Sequence, residues 1–170
     1  MARYDRNYQW GTVSSSTTLP TTAAALFNLQ SQLETDLGLT LHNHTVERIV
    51  GNVVLEVPAS TSPGRAYTAF LGLAILDIDQ ITAGSVPDPF EDSINWIWEY
   101  GAKVYADHTV SSSYASPAVP HHLSSPVLDI RQRRRARGSN QRLVLVGYQD
   151  NGLGATPSIN VSLKTLFRLR

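Results

Sequence analysis

The sequence VLDIRQRRRARGSNQRLVLV, residues 127–146, sets the interpretation of the whole chain. Its ends, 127–130 and 143–146, are short apolar runs of the kind that form buried β-strands. Between them lie six of the twelve arginines of the protein and a Gly-Ser-Asn turn signal at 138–140. Two strand-like runs around such a turn predict the two arms of a β-hairpin. The segment therefore favours a β fold in which a dense group of arginines lies on a rigid element.

The arginines of the first arm fall on one face, because alternate residues of a strand point the same way. Those that share this face are Arg131, Arg133, Arg135 and Arg137. Charges spaced by two strand rises, about 7 Å, repel one another and need a counter-charge. Three sources remain open: acids on the same sheet, carboxylates of a neighbouring subunit, and the phosphates of a nucleic acid.

The composition favours a protein partner for these arginines over a nucleic acid. The 170 residues carry a formal net charge of zero, whereas proteins that coat nucleic acid are usually basic. The first twenty residues contain only two basic residues, Arg3 and Arg6. Charged residues make up 16% of the chain, which is low for a monomer and suits a surface covered by subunit contacts. An ion-pair seam between subunits is the favoured interpretation.

The sequence gives no support to several other classes of protein. Without cysteine, the chain has neither a disulfide framework nor a thiolate metal site. No apolar run approaches a membrane span, and Met1–Arg6 lacks the apolar region of a signal peptide. His42 and His44 are two residues apart, but no third zinc ligand follows nearby, so exposed or capping histidines are expected. No nucleophile elbow or phosphate loop occurs. We expect no enzyme activity, no cofactor and no membrane partner.

The rest of the pattern is mainly β. A helix is predicted over residues 20–37, because leucines recur at spacings of three and four and Gly38 suits a helix C-terminus. Strands are predicted at 45–57, 66–78, 95–107, 126–137, 141–149 and 158–168. This predicts an all-β fold: an antiparallel β-sandwich of jelly-roll type with one short N-terminal helix. Residues 1–18 are expected to form an N-terminal arm or first strand, and residues 19–170 a single β-sandwich domain.

Four aromatic residues join the arginines as candidates for a subunit interface. Tyr8 and Trp10 lie in a polar N-terminal segment, where aromatic side chains need a surface to pack on. Trp96 and Trp98 are spaced to share one face of the predicted strand 95–107. Tryptophans on a strand usually cover the core or lie at the centre of an interface.

Several motifs give the chain a family resemblance. They are TVERIVG at 45–51, PDPFED at 87–92 before a Trp-x-Trp strand, LDIR at 128–131 and INVSLKTLFR at 159–168. From about residue 39 to the C-terminus, the chain resembles uncharacterised virion-associated proteins of bacteriophages and environmental viruses. The resemblance implies a single jelly roll that builds or decorates an icosahedral shell, and it brings no catalytic residues. The lack of a basic arm departs from the shell-forming proteins of small single-stranded viruses.

The residues and the resemblance together predict a structural virion protein, made in the host cytoplasm, that decorates or cements an icosahedral phage capsid. Its expected partners are further copies of itself, as a trimer, and the major capsid protein, with nucleic acid less favoured. Two alternatives stay open. One is the major capsid protein of a small virus, with the arginine hairpin facing the genome. The other is a carbohydrate- or receptor-binding sandwich that uses Trp96 or Trp98.

Overall fold

The computed structural model describes residues 8–38, 44–57, 66–89, 96–105, 121–124, 128–136, 140–149 and 157–169. These residues form nine strands and two helices. The elements are β1 (Tyr8–Thr18), β2 (Ala24–Asn28), α1 (Leu29–Leu37), β3 (His44–Val57), β4 (Ala66–Asp77), α2 (Ile78–Thr82), β5 (Trp98–Tyr105), β6 (His121–Ser124), β7 (Leu128–Ala136), β8 (Gln141–Gln149) and β9 (Ser158–Leu169). Neither helix in this part of the chain is long and apolar enough to cross a membrane.

The strands form two antiparallel sheets. Sheet A has the order β1-β9-β3, and both β7 and β6 pair with the far side of β3. Sheet B has the order β2-β8-β4-β5. The pairs are nested along the chain, since β1 pairs with β9, β2 with β8, β3 with β7 and β4 with β5. This nesting is the topology of a jelly roll, so the predicted all-β antiparallel sandwich is confirmed.

The main core lies between the two sheets and is built by alternate residues of each strand. On β9, for example, Val161, Leu163 and Phe167 are buried, while Ser162 and Lys164 between them are exposed. Leucines of β4 and β8 meet them from sheet B. A second, smaller cluster of Ala74, Leu76, Val144 and Val146 covers the opposite face of sheet B. Strand β8 is therefore buried on both faces, which accounts for its continuous apolar run.

The predicted hairpin across residues 127–146 is wrong. Strand β7, which carries the arginines, belongs to sheet A, whereas β8 belongs to sheet B. The turn signal at 138–140 lies in a connection that crosses from one sheet to the other. The apolar ends of the segment still face a common core, because Leu128 and Leu143 are both buried in the main cluster. Two strands that bury residues in one core from opposite sheets have the same local pattern as a hairpin.

The predicted helix over residues 20–37 is correct only in its second half. Residues 24–28 form β2, which pairs with β8, and α1 begins after Asn28. The Asn28 side chain accepts a hydrogen bond from the Ser31 N–H at 3.1 Å and so caps the helix. Gly38 ends it in the left-handed conformation, at φ 64°, as predicted. Helix α1 packs against β1 and β8, beside the edge strand of sheet A.

Candidate subunit interface

The outer face of sheet A is the surface that carries most of the described interface candidates. It consists of the side chains that point away from the core on four adjacent strands. These are Tyr8, Trp10, Thr12, Ser14 and Ser16 of β1, Asn160, Ser162, Lys164, Leu166 and Arg168 of β9, Arg48, Val50, Asn52 and Val54 of β3, and Asp129 and Arg131 of β7.

Tyr8 and Trp10 form an aromatic corner of this face. They lie on the edge strand β1, opposite Arg168 and Leu166 of β9, and remain 40% and 48% exposed. Buried Gly11 shows that the intervening positions of β1 face inward. Large aromatic side chains left this exposed favour a protein contact, since tyrosine and tryptophan are enriched among the residues that dominate binding energies.

Arg131 lies on the same face as the aromatic corner, at the opposite side of the sheet. One register row runs from Trp10 through Leu166 and Arg48 to Arg131. With about 4.8 Å between strands, the row spans roughly 14 Å. The fold thus brings together two sequence-distant candidates, Trp10 and Arg131, on a single surface of a size that a protein partner can cover.

An ion pair joins β3 and β7 on this face, next to Arg131. The Arg48 guanidinium donates two hydrogen bonds to Asp129, Nε to Oδ1 and Nη2 to Oδ2, each of 2.8 Å. Hydrogen bonds from Arg48 hold the pKa of the Asp129 carboxyl below its usual value against an opposing effect of desolvation, and the charges of Arg48 and Arg131 lower it further. Because Arg48 already engages both carboxylate oxygens of Asp129, the exposed Arg131 remains suited to a carboxylate from another molecule.

The other arginines of the predicted face are less fully described. Arg133 and Arg135 lie within β7, with Arg135 at the register position opposite Thr45, and the structure describes their backbone only. Arg137 lies outside the described residues. The shared outward face of the four arginines therefore stays a prediction, anchored at one end by Arg131.

The prediction that Trp96 and Trp98 share a face is wrong. Strand β5 begins at Trp98, so the alternation does not extend back to Trp96. Trp98 stacks on Tyr100, with 5.7 Å between ring centroids, and packs against the main core. Trp96 packs on the second cluster, on the outside of sheet B, where its ring covers Gly72. Both tryptophans are half-buried within their own chain. Trp98 belongs to sheet B and Trp96 packs on it, whereas the aromatic corner belongs to sheet A.

A buried polar cluster beside α1 was missed by sequence analysis. His44 is fully buried, although it was expected to be an exposed or capping histidine. Nearby, the buried Gln30 amide donates to Glu34 Oε1 at 2.8 Å, and Arg142 lies 3.8 Å from Glu34 Oε2. Burial lowers the pKa of His44 to about 4; Glu34 opposes this effect and Arg142 adds to it. A lone histidine at the start of a strand gives no sequence signal that distinguishes this position from an exposed one.

Comparison with known proteins adds two distant structural likenesses. A chain described as Desmodium yellow mottle tymovirus aligns over 96% of this chain and 90% of its own length, at 7% identity and a TM-score of 0.33. A chain of the infectious bursal disease virus VP2 subviral particle aligns over 98% of this chain and 42% of its own length, at 11% identity and a TM-score of 0.22. No protein-family model and no curated protein match the sequence. The fold assignment therefore rests on the strand pairing itself.

Proposed function

We propose that this protein is a structural component of a virion that self-associates and decorates or cements an icosahedral phage capsid. The observation that carries the proposal is the outer face of sheet A, where Tyr8 and Trp10 are exposed on one edge and Arg131 on the other. The jelly roll beneath it is a framework that viral shells and lectins use. The resemblance of the sequence to virion-associated proteins favours a role in a shell over sugar binding.

The outer face combines exposed aromatic side chains with charged ones, as protein contacts do. Its aromatic corner supplies apolar area to a contact, and its arginines suit carboxylates of the partner. A partner that spans the row from Trp10 to Arg131 would bury both. In the proposed role this partner is the major capsid protein or a further copy of the chain, with a trimer as the favoured assembly.

Binding to capsids that lack the protein tests this role. Purified protein is added to such particles, and sedimentation measures how much travels with them while a thermal scan follows release of the genome. We expect saturable binding and a higher release temperature, and the Trp10→Ala variant should bind at least tenfold more weakly. Folded protein that neither binds the particles nor changes their release temperature would contradict the proposal.

A major capsid protein whose arginine strand faces the genome is the second candidate. Arg131 and Lys164 are both exposed on the outer face of sheet A, which gives this alternative its support. Phosphate contacts release counter-ions, so binding to DNA would weaken steeply with salt. Tight DNA binding at low salt that is lost near physiological salt would favour this alternative, whereas weak binding at both salt concentrations favours decoration.

A further inference from the structure

Strand β1 is an edge strand without the features that usually protect an edge. It runs for eleven residues and pairs with β9 along its whole length without a bulge. Among the residues that the structure describes, no strand pairs with its other side. Natural edge strands are usually shortened, bulged or marked by proline or charge to prevent pairing with another chain. Residues 8–18 contain neither proline nor a charged residue.

The edge is most open at its middle. Ser14, Ser15 and Ser16 are all exposed, although consecutive residues of a strand point to opposite faces. Ser15 lies opposite the buried Val161, on the side that faces the core elsewhere in the sheet, and yet it is exposed. Both faces of β1 are therefore exposed along this segment.

We propose that β1 pairs with β1 of a second copy, antiparallel and about a two-fold axis at Ser15. In this register Ser15 faces Ser15 of the second copy, Ser14 faces Ser16, Val13 faces Thr17, and Thr12 faces Thr18. Cross-strand pairs of serine and threonine stabilise antiparallel sheets, and β-branched residues favour strands. The segment from Thr12 to Thr18 is thus complementary to itself, and two copies bring no like charges together.

The surface beside this segment of β1 also suits contact with a second copy of the chain. A shallow cleft of about 350 Å³ runs along the outer face beside this segment, and none of the residues that line it is charged. Its walls include Ser14, Ser16, Asn52, Asn160 and Ser162. Two-fold pairing would place the clefts of the two copies side by side, as one uncharged surface across a continuous sheet. Such a contact is isologous, because each copy contributes the same patch.

The two-fold contact extends the proposed function. It depends on that proposal only for its location in a capsid. Icosahedral symmetry contains two-fold axes as well as three-fold axes, so a two-fold contact can join neighbouring trimers. The pairing itself is a property of the purified protein. It is therefore testable where no particle is present.

Disulfide trapping tests the pairing and its register directly, because the chain contains no cysteine. Residues directly opposite each other in antiparallel strands have Cα atoms about 4.5–5.5 Å apart, within the range of a disulfide. We expect Ser15→Cys to give a disulfide-linked dimer as the main product of mild oxidation. A mixture of Ser14→Cys and Ser16→Cys should give several-fold more mixed dimer than either variant alone gives with itself. Ser85→Cys, at an exposed residue outside sheet A, is the matched control.

Sedimentation of a charge variant gives the second measurement. Ser15→Lys would place two ammonium groups opposite each other at the axis, and we expect it to shift the protein from dimers or larger species to smaller ones. Ser85→Lys should sediment as the unmodified protein. Cross-linking of Ser15→Cys no greater than that of Ser85→Cys, or unchanged sedimentation of folded Ser15→Lys, would overturn the pairing. A protein that cross-links at Ser15 but is absent from particles would overturn the proposed function and leave the pairing intact.

Discussion

The ring of His44 meets the ring of Phe167 edge-on, with 5.4 Å between the centroids and an angle of 68° between the planes. Both side chains are fully buried, and neither ring nitrogen of His44 has a hydrogen-bond partner among the described residues. The contact joins the start of β3 to the end of β9 in the interior of sheet A. It requires an uncharged imidazole, because burying an unpaired charge is far more costly than burying a neutral ring.

Acid should therefore destabilise the fold through His44. Its pKa is about 4 in the folded protein and near 6.5 in the unfolded chain, so the unfolded chain takes up the proton first. The neutral ring contributes its full stability above pH 6.5, and this contribution is lost as the pH falls towards 4. At about 1.4 kcal/mol per pKa unit, the loss is at most about 3 kcal/mol. Urea unfolding at pH 7 and pH 4.5 measures it.

The control for this prediction is His44→Leu, which keeps an apolar group of similar bulk and cannot titrate. Carboxyl groups elsewhere titrate in the same range, so the informative quantity is the difference between the two proteins. We expect the variant to lose less free energy of unfolding than the unmodified protein on going to pH 4.5. Equal losses would show that His44 does not carry the acid sensitivity.

The titration of Asp129 tests the geometry of the outer face of sheet A. Hydrogen bonds from Arg48 are the main cause of its lowered pKa, and the charge of Arg131 is a smaller one. Arg48→Ala should therefore raise the pKa of Asp129 towards the usual value of a carboxyl, and Arg131→Ala should raise it less. Carbon-detected NMR of the side-chain carboxyl distinguishes the two variants. A larger effect of Arg131→Ala would mean that the ion pair is formed differently in solution.

The sequence predicted the architecture better than it predicted the connections. The inward residues of β9 alternate cleanly, and this period identifies a half-buried strand without knowledge of its partners. The sequence around Gly138 does not distinguish a hairpin from a connection between the two sheets, because both need apolar flanks and a turn. The helix prediction includes residues 24–28 because Leu26 continues the helical spacing of Leu29 and Leu33, but pairing with β8 outweighs that local preference.

For the candidate interface, too, the sequence predicted individual residues better than their arrangement. Tyr8 and Trp10 could be singled out because aromatic side chains are unusual in a polar segment. Their position beside Leu166, in the same row as Arg131, depends on pairings between residues that are far apart along the chain, such as Trp10 with Leu166 and Arg48 with Arg131. The alternation that grouped Trp96 with Trp98 failed because β5 begins only at Trp98. His44 gave no signal, since its burial depends on α1 and β9 together.

Gly51 should be among the least replaceable residues of the fold. Its φ of 145° is unfavourable for other residues, and a Cβ there would lie 2.0 Å from the Ser162 carbonyl oxygen in the neighbouring strand. We expect Gly51→Ala to lower the free energy of unfolding by about 3–5 kcal/mol. Gly84→Ala is the matched control, because Gly84 also has a positive φ but open space around it, and about 1–2 kcal/mol is expected. Similar losses in chemical denaturation would contradict the close approach of β3 and β9.

Alanine substitutions of Trp10 and of Trp98 should distinguish an effect on assembly from an effect on folding. Trp10→Ala removes an exposed ring, so we expect a change in the free energy of unfolding within about 0.5 kcal/mol together with weaker association. Trp98→Ala removes a ring that packs on the main core, and about 2 kcal/mol or more should be lost. Denaturation and sedimentation of both variants make the comparison. A Trp10→Ala protein that associates normally would remove the aromatic corner from the interface.

The double change Arg133→Gln and Arg135→Gln tests the predicted ion-pair seam on β7. Neutral side chains of similar length should leave the fold stable, and they should weaken assembly because carboxylates of the neighbour lose their partners. Assembly is measured by sedimentation and folding by thermal denaturation. If the variant assembles normally and only binds nucleic acid less well, the arginines face the genome and the seam is wrong.

The amount of this protein in purified virus particles tests the central proposal most directly. Quantitative mass spectrometry of purified particles, with the major capsid protein as the internal standard, gives the copy number. The proposed role predicts a ratio that matches the number of capsomers, unchanged after a salt wash that removes loosely bound proteins. Absence of the protein from purified particles would contradict a structural role in the virion.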